Sequence, residues 1–310
     1  MSPTVIYKQC TIKCAVSTTG IAVHSGESAE LEFFPAPVNT GVVFCVHALG
    51  AVIKIPALSR FVGDTRLSTT LVRDGKKIST VEHLLSAIAG LGIDNLYIHL
   101  HAAEIPIMDG SAAPFVFLLQ SAGIVEQEMP KRFVRIKKRI VVQDGDKIAS
   151  LEPYHGLRVT CEIDYEQTVI KKTKQYETLE FSTAAFIEEI SRARTFGLLA
   201  EYEQIRAMHL ARGASLDNAV VVDDSGVLNR EGLRYANEFV RHKILDALGD
   251  LYLLGGIVLG NFQGYKSGHT LNDKLVKAVL ADADAWEFVT FENEQAAPPF
   301  FLWNTTSAAA

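Results

Sequence analysis

The chain is short of the features that announce secretion, membrane residence or nucleic-acid binding. It has four cysteines in 310 residues, and Cys10, Cys14, Cys45 and Cys161 form no CxxC pair, so neither a thiolate metal cluster nor a disulfide framework is written in them. Residues 1–8 lack the apolar core of a secretory segment, and a reducing cytoplasm is the expected location. The longest apolar stretch, 251–260, falls well short of the roughly 20 residues that a spanning helix needs, so any membrane contact would be peripheral. A net charge of −6, with no basic motif interleaved with aromatics, excludes nucleic acid as a partner.

What is present is a soluble globular composition, 48% apolar, with length for two domains or one large one. Strand-like runs at 21–23 and 41–46 precede a helix at 81–89, with Leu84, Leu85 and Ile88 at helical spacing. Ser79 and Thr80 read as its cap, and Gly90 and Gly92 as its stop. A buried strand at 96–100 and a helix at 114–120 follow. Between Gly123 and Arg139 the composition shifts, with Pro130 followed by Lys131, Arg132, Arg135, Lys137, Lys138 and Arg139. A domain boundary is expected there, giving units 1–126 and 127–295 and a mobile tail, 296–310. The basic run reads either as a solvated strand face or as a patch for an anionic surface. Beyond it come strands at 140–142, 157–163 and 219–222, then helices near 184–191, 200–211, 231–253 and 272–281. Each half is a small sheet followed by helices, an α+β layout.

The chemistry concentrates in 240–250. At about 100° per residue, His242, Asp246 and Asp250 share one face of a helix whose other residues are largely apolar. Buried charges without partners are costly, and His and Asp four apart can both reach one cation. Glu82-His83, at the start of the 81–89 helix, offers a third ligand in His83; alone, His83 would read as a core histidine bonded to backbone. Two imidazoles and one carboxylate leave a coordination position open, as a hydrolytic zinc site requires. Glu82, beside a ligand but displaced from it, is placed to take a proton from water whose pKa a metal lowers to about 7.

His269, in Ser267-Gly268-His269-Thr270, stands at the entrance to a helix capped by Thr270 or Asn272. Pairing with Asp250 would keep it cationic, as a general acid for a leaving amine or as fixed charge beside an oxyanion. In Arg192-Ala193-Arg194-Thr195-Phe196-Gly197, Thr195 offers a hydroxyl to an oxyanion and Phe196 a ring for stacking on a sugar. His24 is the residue most exposed to misassignment: a ligand, or the holder of its glycine-flanked turn. His47, His99, His101, His155 and His209 lack acidic or glycine-rich company and read as ordinary.

Gly20 to Gly26, Ser79 to His83, Glu104 to Ala112, Ser191 to Gly197, Asp217 to Asp224, His242 to Asp250 and Ser267 to His269, in that order, resemble the UDP-3-O-acyl-N-acetylglucosamine deacetylases. These are zinc amidases of Gram-negative bacteria that act at the committed step of lipid A biosynthesis. The resemblance implies two similar layered α+β domains, their helices facing each other around the metal. It implies His83, His242 and Asp246 as zinc ligands, Glu82 as base, His269 as acid or electrostatic partner oriented by Asp250, and Thr195 near the oxyanion.

Lys243 and Phe196 are implied along the glucosamine and diphosphate, with Lys243 counted among the catalytic groups, and Asp164 and Tyr165 on the nucleotide side. An insert at about 197–222 would clasp the acyl chain through Leu198, Tyr202, Ile205 and Ala214; its apolar stripe equally suits packing on the core. Ala214 replaces a glycine usual in the family, and Leu67 and Thr69 stand where some relatives carry cysteine.

The expected reaction is hydrolysis of the acetamide of an acylated UDP-amino sugar by a cytoplasmic monomer, with zinc or ferrous iron. Opposing protonation demands on Glu82 and His269 would give a bell-shaped pH profile. The same three ligands also describe a non-haem Fe(II) enzyme, against which the proton carriers Glu82 and His269 argue. A non-catalytic lipid or nucleotide-sugar binder with a structural metal would need a closed, four-ligand site.

Overall fold

A computed structural model describes residues 7–48, 51–292, 297, 298 and 300. Strand β1 (Lys8–Ile12) pairs with β10 (Ile124–Pro130), which spans the expected boundary at 126/127. The first sheet contains β2 (Val16–Ile21), β3 (Ser28–Pro35), β4 (Val42–Ala48), β5 (Ala51–Pro56) and β9 (Leu96–Leu100), in the order β2-β3-β9-β4-β5. Its pairs are antiparallel except β4 with β9. A ribbon of β6 (Val62–Asp64), β7 (Thr70–Arg73) and β8 (Lys76–Ile78) leads into helix α1 (Glu82–Gly90), and α2 (Ala113–Ser121) follows β9.

The second sheet takes β11 (Phe133–Ile136), β12 (Ile140–Asp144), β13 (Lys147–Glu152), β14 (Leu157–Glu162), β15 (Tyr176–Glu180), β18 (Val258–Tyr265) and β19 (Trp286–Val289). Strand β18 is its hub, parallel to β11 and β14 and antiparallel to β13. Short helices α3 (Thr168–Lys171) and α4 (Thr183–Ala185), and the parallel pair β16 (Phe196–Leu198) and β17 (Val220–Val222), flank it. Three longer helices complete the chain: α5 (Leu199–Ala207), α6 (Glu238–Tyr252) and α7 (His269–Ala281). The α+β reading is met.

Alternation puts Leu31, Phe33, Phe44, Val46, Ile98 and Leu100 on one face of the first sheet, all buried. Every residue of α1 is buried, as is every residue of α6 except Arg241 and Lys243, and the two helices pack on each other. Gly249 permits that approach, since a Cβ there would stand 2.1 Å from the carbonyl oxygen of Glu82. No helix among the described residues is long and apolar enough to cross a membrane.

Several local expectations are corrected by tertiary contacts. Ser79 and Thr80 do not cap α1: the Ser79 hydroxyl donates to the Ala103 carbonyl, and the Thr80 hydroxyl to Glu104. Neither Thr270 nor Asn272 caps α7; Gly268 holds that position, and the two side chains reach Thr65 and Asp250. The helix expected from 231 begins at Glu238, whose buried carboxylate accepts the backbone N–H groups of Arg194 and Arg234 and the guanidinium of Arg194. The basic run is largely neutralised. Lys131 is buried against Asp94, Arg135 meets Glu287, Lys138 meets Asp282 and Asp284, and Arg139 meets Glu152. Of the expected mobile tail, Phe300 is instead buried, its ring beside Phe133 and Phe181; 296, 299 and 301–310 lie outside the described residues.

Candidate metal centre

The seam between α1 and α6 gathers the polar groups that the sequence singled out. His83, in the first turn of α1, faces His242 and Asp246 of α6, and one donor atom from each lies within 4.8 Å of the others. Asp246 Oδ1 is 3.2 Å from His242 Nε2 and 3.5 Å from His83 Nε2. Donors about 2.0–2.1 Å from a tetrahedral ion stand roughly 3.3 Å apart, which these two separations match. Asp246 Oδ1 is buried and has no hydrogen-bond partner among the described residues, an expensive state for a carboxylate oxygen that a metal ion would relieve.

The surroundings set the protonation states. Burial holds His242 down to about 3, the neutral form that a ligand requires, and its Nδ1–H donates to the Ala193 carbonyl at 2.9 Å, fixing the ring with Nε2 toward the centre. Burial opposes ionisation of Asp246, but the neighbouring His242 and Lys243 outweigh it and hold the carboxyl well below its ordinary value. The Lys243 ammonium donates to Asp246 Oδ2 at 2.8 Å, and burial is likewise outweighed by that carboxylate, which raises Lys243.

Glu82 lies beside this group. Its Oε2 accepts the Thr69 backbone N–H at 2.9 Å, its Oε1 is 3.6 Å from His269 Nε2, and burial pushes its carboxyl up. On the far side of His269, Nδ1 donates to Asp250 at 2.9 Å. Burial alone would lower His269, yet the carboxylates of Asp250 and Glu82 raise it to about 10. Asp250 is held in turn by the Thr69 hydroxyl at 2.6 Å and the Asn272 amide at 2.9 Å. A basic carboxylate and a cationic imidazole therefore flank three convergent donors in a water-poor seam, an arrangement suited to proton transfer at a polarised carbonyl.

A sequence model of the family described as UDP-3-O-acyl N-acetylglycosamine deacetylase matches residues 9–281. The chain belongs to the UDP-3-O-acyl-N-acetylglucosamine deacetylase family. A deacetylase of that name from Hahella chejuensis is 56% identical over 295 residues, covering 95% of this chain and 98% of the relative. The one from Marinobacter nauticus is 55% identical, covering 95% and 97%. That of Coxiella burnetii is 54% identical over 291 residues, covering 94% and 96%.

Other residues expected in the deacetylase site are placed less centrally. The Phe196 ring lies 6.4 Å from that of His242 and 5.5 Å from that of Tyr165, with the Lys243 ammonium 5.7 Å away, so these four form one cluster beside the centre. Thr195 is held by backbone bonds to Gly110 and Val220, and its hydroxyl makes no hydrogen bond to the centre among the described residues. Asp164 accepts from Lys266 at 2.9 Å and from Tyr265. Leu198, Tyr202 and Ile205 are half-buried along β16 and α5, a helix with no buried residue, and Ala214 lies in the following turn.

His24 is outside the donor group. Its backbone N–H donates to Glu104, while its carbonyl and Nδ1 accept from Arg212 and Ala211, so it ties its loop to 211–213. Sequence reasoning missed Thr69 as a support of Asp250, the Ala193 carbonyl behind His242, and the packing role of Gly249. Only Gly249, a glycine amid a long apolar helix, carried a signal that could have been read.

Proposed function

We propose that this protein hydrolyses the N-acetyl group of UDP-3-O-acyl-N-acetylglucosamine, giving acetate and UDP-3-O-acyl-glucosamine for lipid A biosynthesis. The ion is zinc, with ferrous iron suited to the same donors, held by His83, His242 and Asp246. The observation that carries the reading is the convergence of these three donors beside Glu82 and the His269–Asp250 pair. When bound, the ion supplies Lewis acidity and lowers the pKa of water at the site to about 7.

The chain supplies the rest. Glu82 accepts a proton from water, whose oxygen bonds to the acetamide carbon. His269, kept cationic by Asp250, faces the negative charge that develops on the carbonyl oxygen, as does Thr195. The C–N bond breaks, the sugar nitrogen takes up a proton from Glu82 or His269 to leave as amine, and acetate carries away the oxygen from water.

Phe196, Lys243 and Tyr165 line the sugar and diphosphate path, and Asp164 borders the nucleotide. Leu198, Tyr202, Ile205 and Ala214 border the acyl chain, a role supported for Tyr202 and Ile205 by the exposure of α5, while Leu198, just before that helix, also packs on the core. Units 1–126 and 127–295 divide the chain, supported by two sheets that draw their strands from opposite sides of the boundary. The protein works as a cytoplasmic monomer, and the paired basic run supports no more than peripheral membrane contact. The test is Glu82→Ala, expected to lower kcat by about 10²–10⁴-fold with metal content unchanged. Loss of the metal instead would make Glu82 a ligand and overturn its role as base.

A further inference from the structure

The catalytic groups leave one buried ion pair unused. Arg194 and Glu238 are both buried, and Glu238, at the start of α6, stands four residues before His242 on the same face of the helix. Glu238 Oε1 accepts the Arg194 backbone N–H and the Nε–H, each at 2.9 Å. Its Oε2 accepts the Arg234 backbone N–H at 2.6 Å and Arg194 Nη2–H at 3.2 Å, so both carboxylate oxygens are fully bonded. The guanidinium is anchored in turn by Glu231 at 2.6 Å and by the Gly232 carbonyl at 2.7 Å.

These contacts close on a single peptide unit. The carbonyl of Ala193 accepts His242 Nδ1–H at 2.9 Å, and the N–H of that same peptide, at Arg194, is the one that Glu238 holds. A trans peptide is planar and rigid, with its C=O and N–H pointing opposite ways. His242 and Glu238, about 6 Å apart along the helix, therefore grip its two ends. A carboxylate on the N–H also polarises the peptide and strengthens its carbonyl as an acceptor for the imidazole. As a stabiliser alone a buried ion pair is weak, since desolvation offsets its attraction.

We propose that Glu238 is a positioning residue of the metal centre. It fixes the Ala193–Arg194 peptide, whose carbonyl orients the His242 ring, keeps Nδ1 protonated and leaves Nε2 free for the ion. Arg194 holds the Glu238 carboxylate in place with opposite charge. The inference rests on the reading of His83, His242 and Asp246 as metal ligands.

The test follows zinc loss from the zinc-loaded, full-length protein to a competing chelator, with the visible spectrum of the cobalt-loaded protein and thermal unfolding measured alongside. Glu238→Gln places an amide NH2 where N–H groups must be accepted. It is expected to weaken zinc binding by about 10–100-fold, the size typical of losing an outer partner of a ligand, and to shift the cobalt spectrum. Lys131→Ala breaks another buried pair, with Asp94 beyond the far end of α1, and is expected to lower the unfolding temperature while keeping zinc affinity. Wild-type affinity and spectrum in folded Glu238→Gln, or an equal loss of affinity in Lys131→Ala, would overturn the proposal. Should Glu238→Gln not fold, Arg194→Lys keeps the charge and the backbone bond but loses the guanidinium fork; severalfold weaker zinc binding is expected, and wild-type affinity overturns the proposal in the same way. A wild type that holds no zinc would overturn the metal reading and this inference with it, a failure distinct from the others.

Discussion

Helices α1 and α6 on one side, and α5 on the other, put the same sequence signal to opposite uses. All three carry apolar residues at helical spacing. In α1 and α6 nearly every side chain is buried, and five buried polar groups, Glu82, His83, His242, Asp246 and Asp250, gather at the seam. In α5 no residue is buried, and Leu199 at its start and Met208 just past its end remain 45% and 54% exposed. Buried polar groups held by fixed partners are what reaction at a defined point needs, whereas an exposed apolar stripe suits a long, flexible alkyl group.

That contrast can be broken at several places. Asp246→Ala removes a donor and leaves Lys243 beside an empty position; metal content and turnover are expected to fall by more than the roughly 100-fold typical of losing an outer-shell partner, as measured by elemental analysis and acetate release. Thr69→Val deletes the hydroxyl that holds Asp250, a bond to a charged group worth about 1.5–3 kcal/mol, so kcat should drop at least about tenfold with KM and metal content steady. An equal change in KM would assign Thr69 to binding instead.

Gly249→Ala drives a methyl into the Glu82 carbonyl and should destabilise the protein by about 1–3 kcal/mol in denaturant unfolding, with a loss of kcat. On the exposed side, Ile205→Ala should leave stability within about 0.5 kcal/mol of the wild type while raising KM severalfold for a long acyl chain and not for a short one. A large stability loss there would return α5 to the core and end the contrast.

Legibility in the sequence followed contact range. His242 and Asp246 could be paired because four residues of helix place them on one face, and Asp250 with His269 because a cation at a helix entrance needs a carboxylate. The Thr69 hydroxyl, 181 positions from Asp250, left no local trace. The caps assigned to Ser79 and Thr80 failed for the same reason, since distant carbonyl and carboxylate acceptors at 103–104 took those hydroxyls. The helix expected from 231 started late because Arg194 and Glu238 formed a buried pair across 44 positions and bound the preceding backbone.

Sequence alone determined the α+β class and singled out His83, His242 and Asp246 as side chains that could meet, because periodicity and residue chemistry are local properties. Tertiary structure decided which helices meet, how closely, and which imidazole each carboxylate holds. Those outcomes depend on strand order around β18 and on a single glycine at the seam, and neither is encoded within the span of one helical turn.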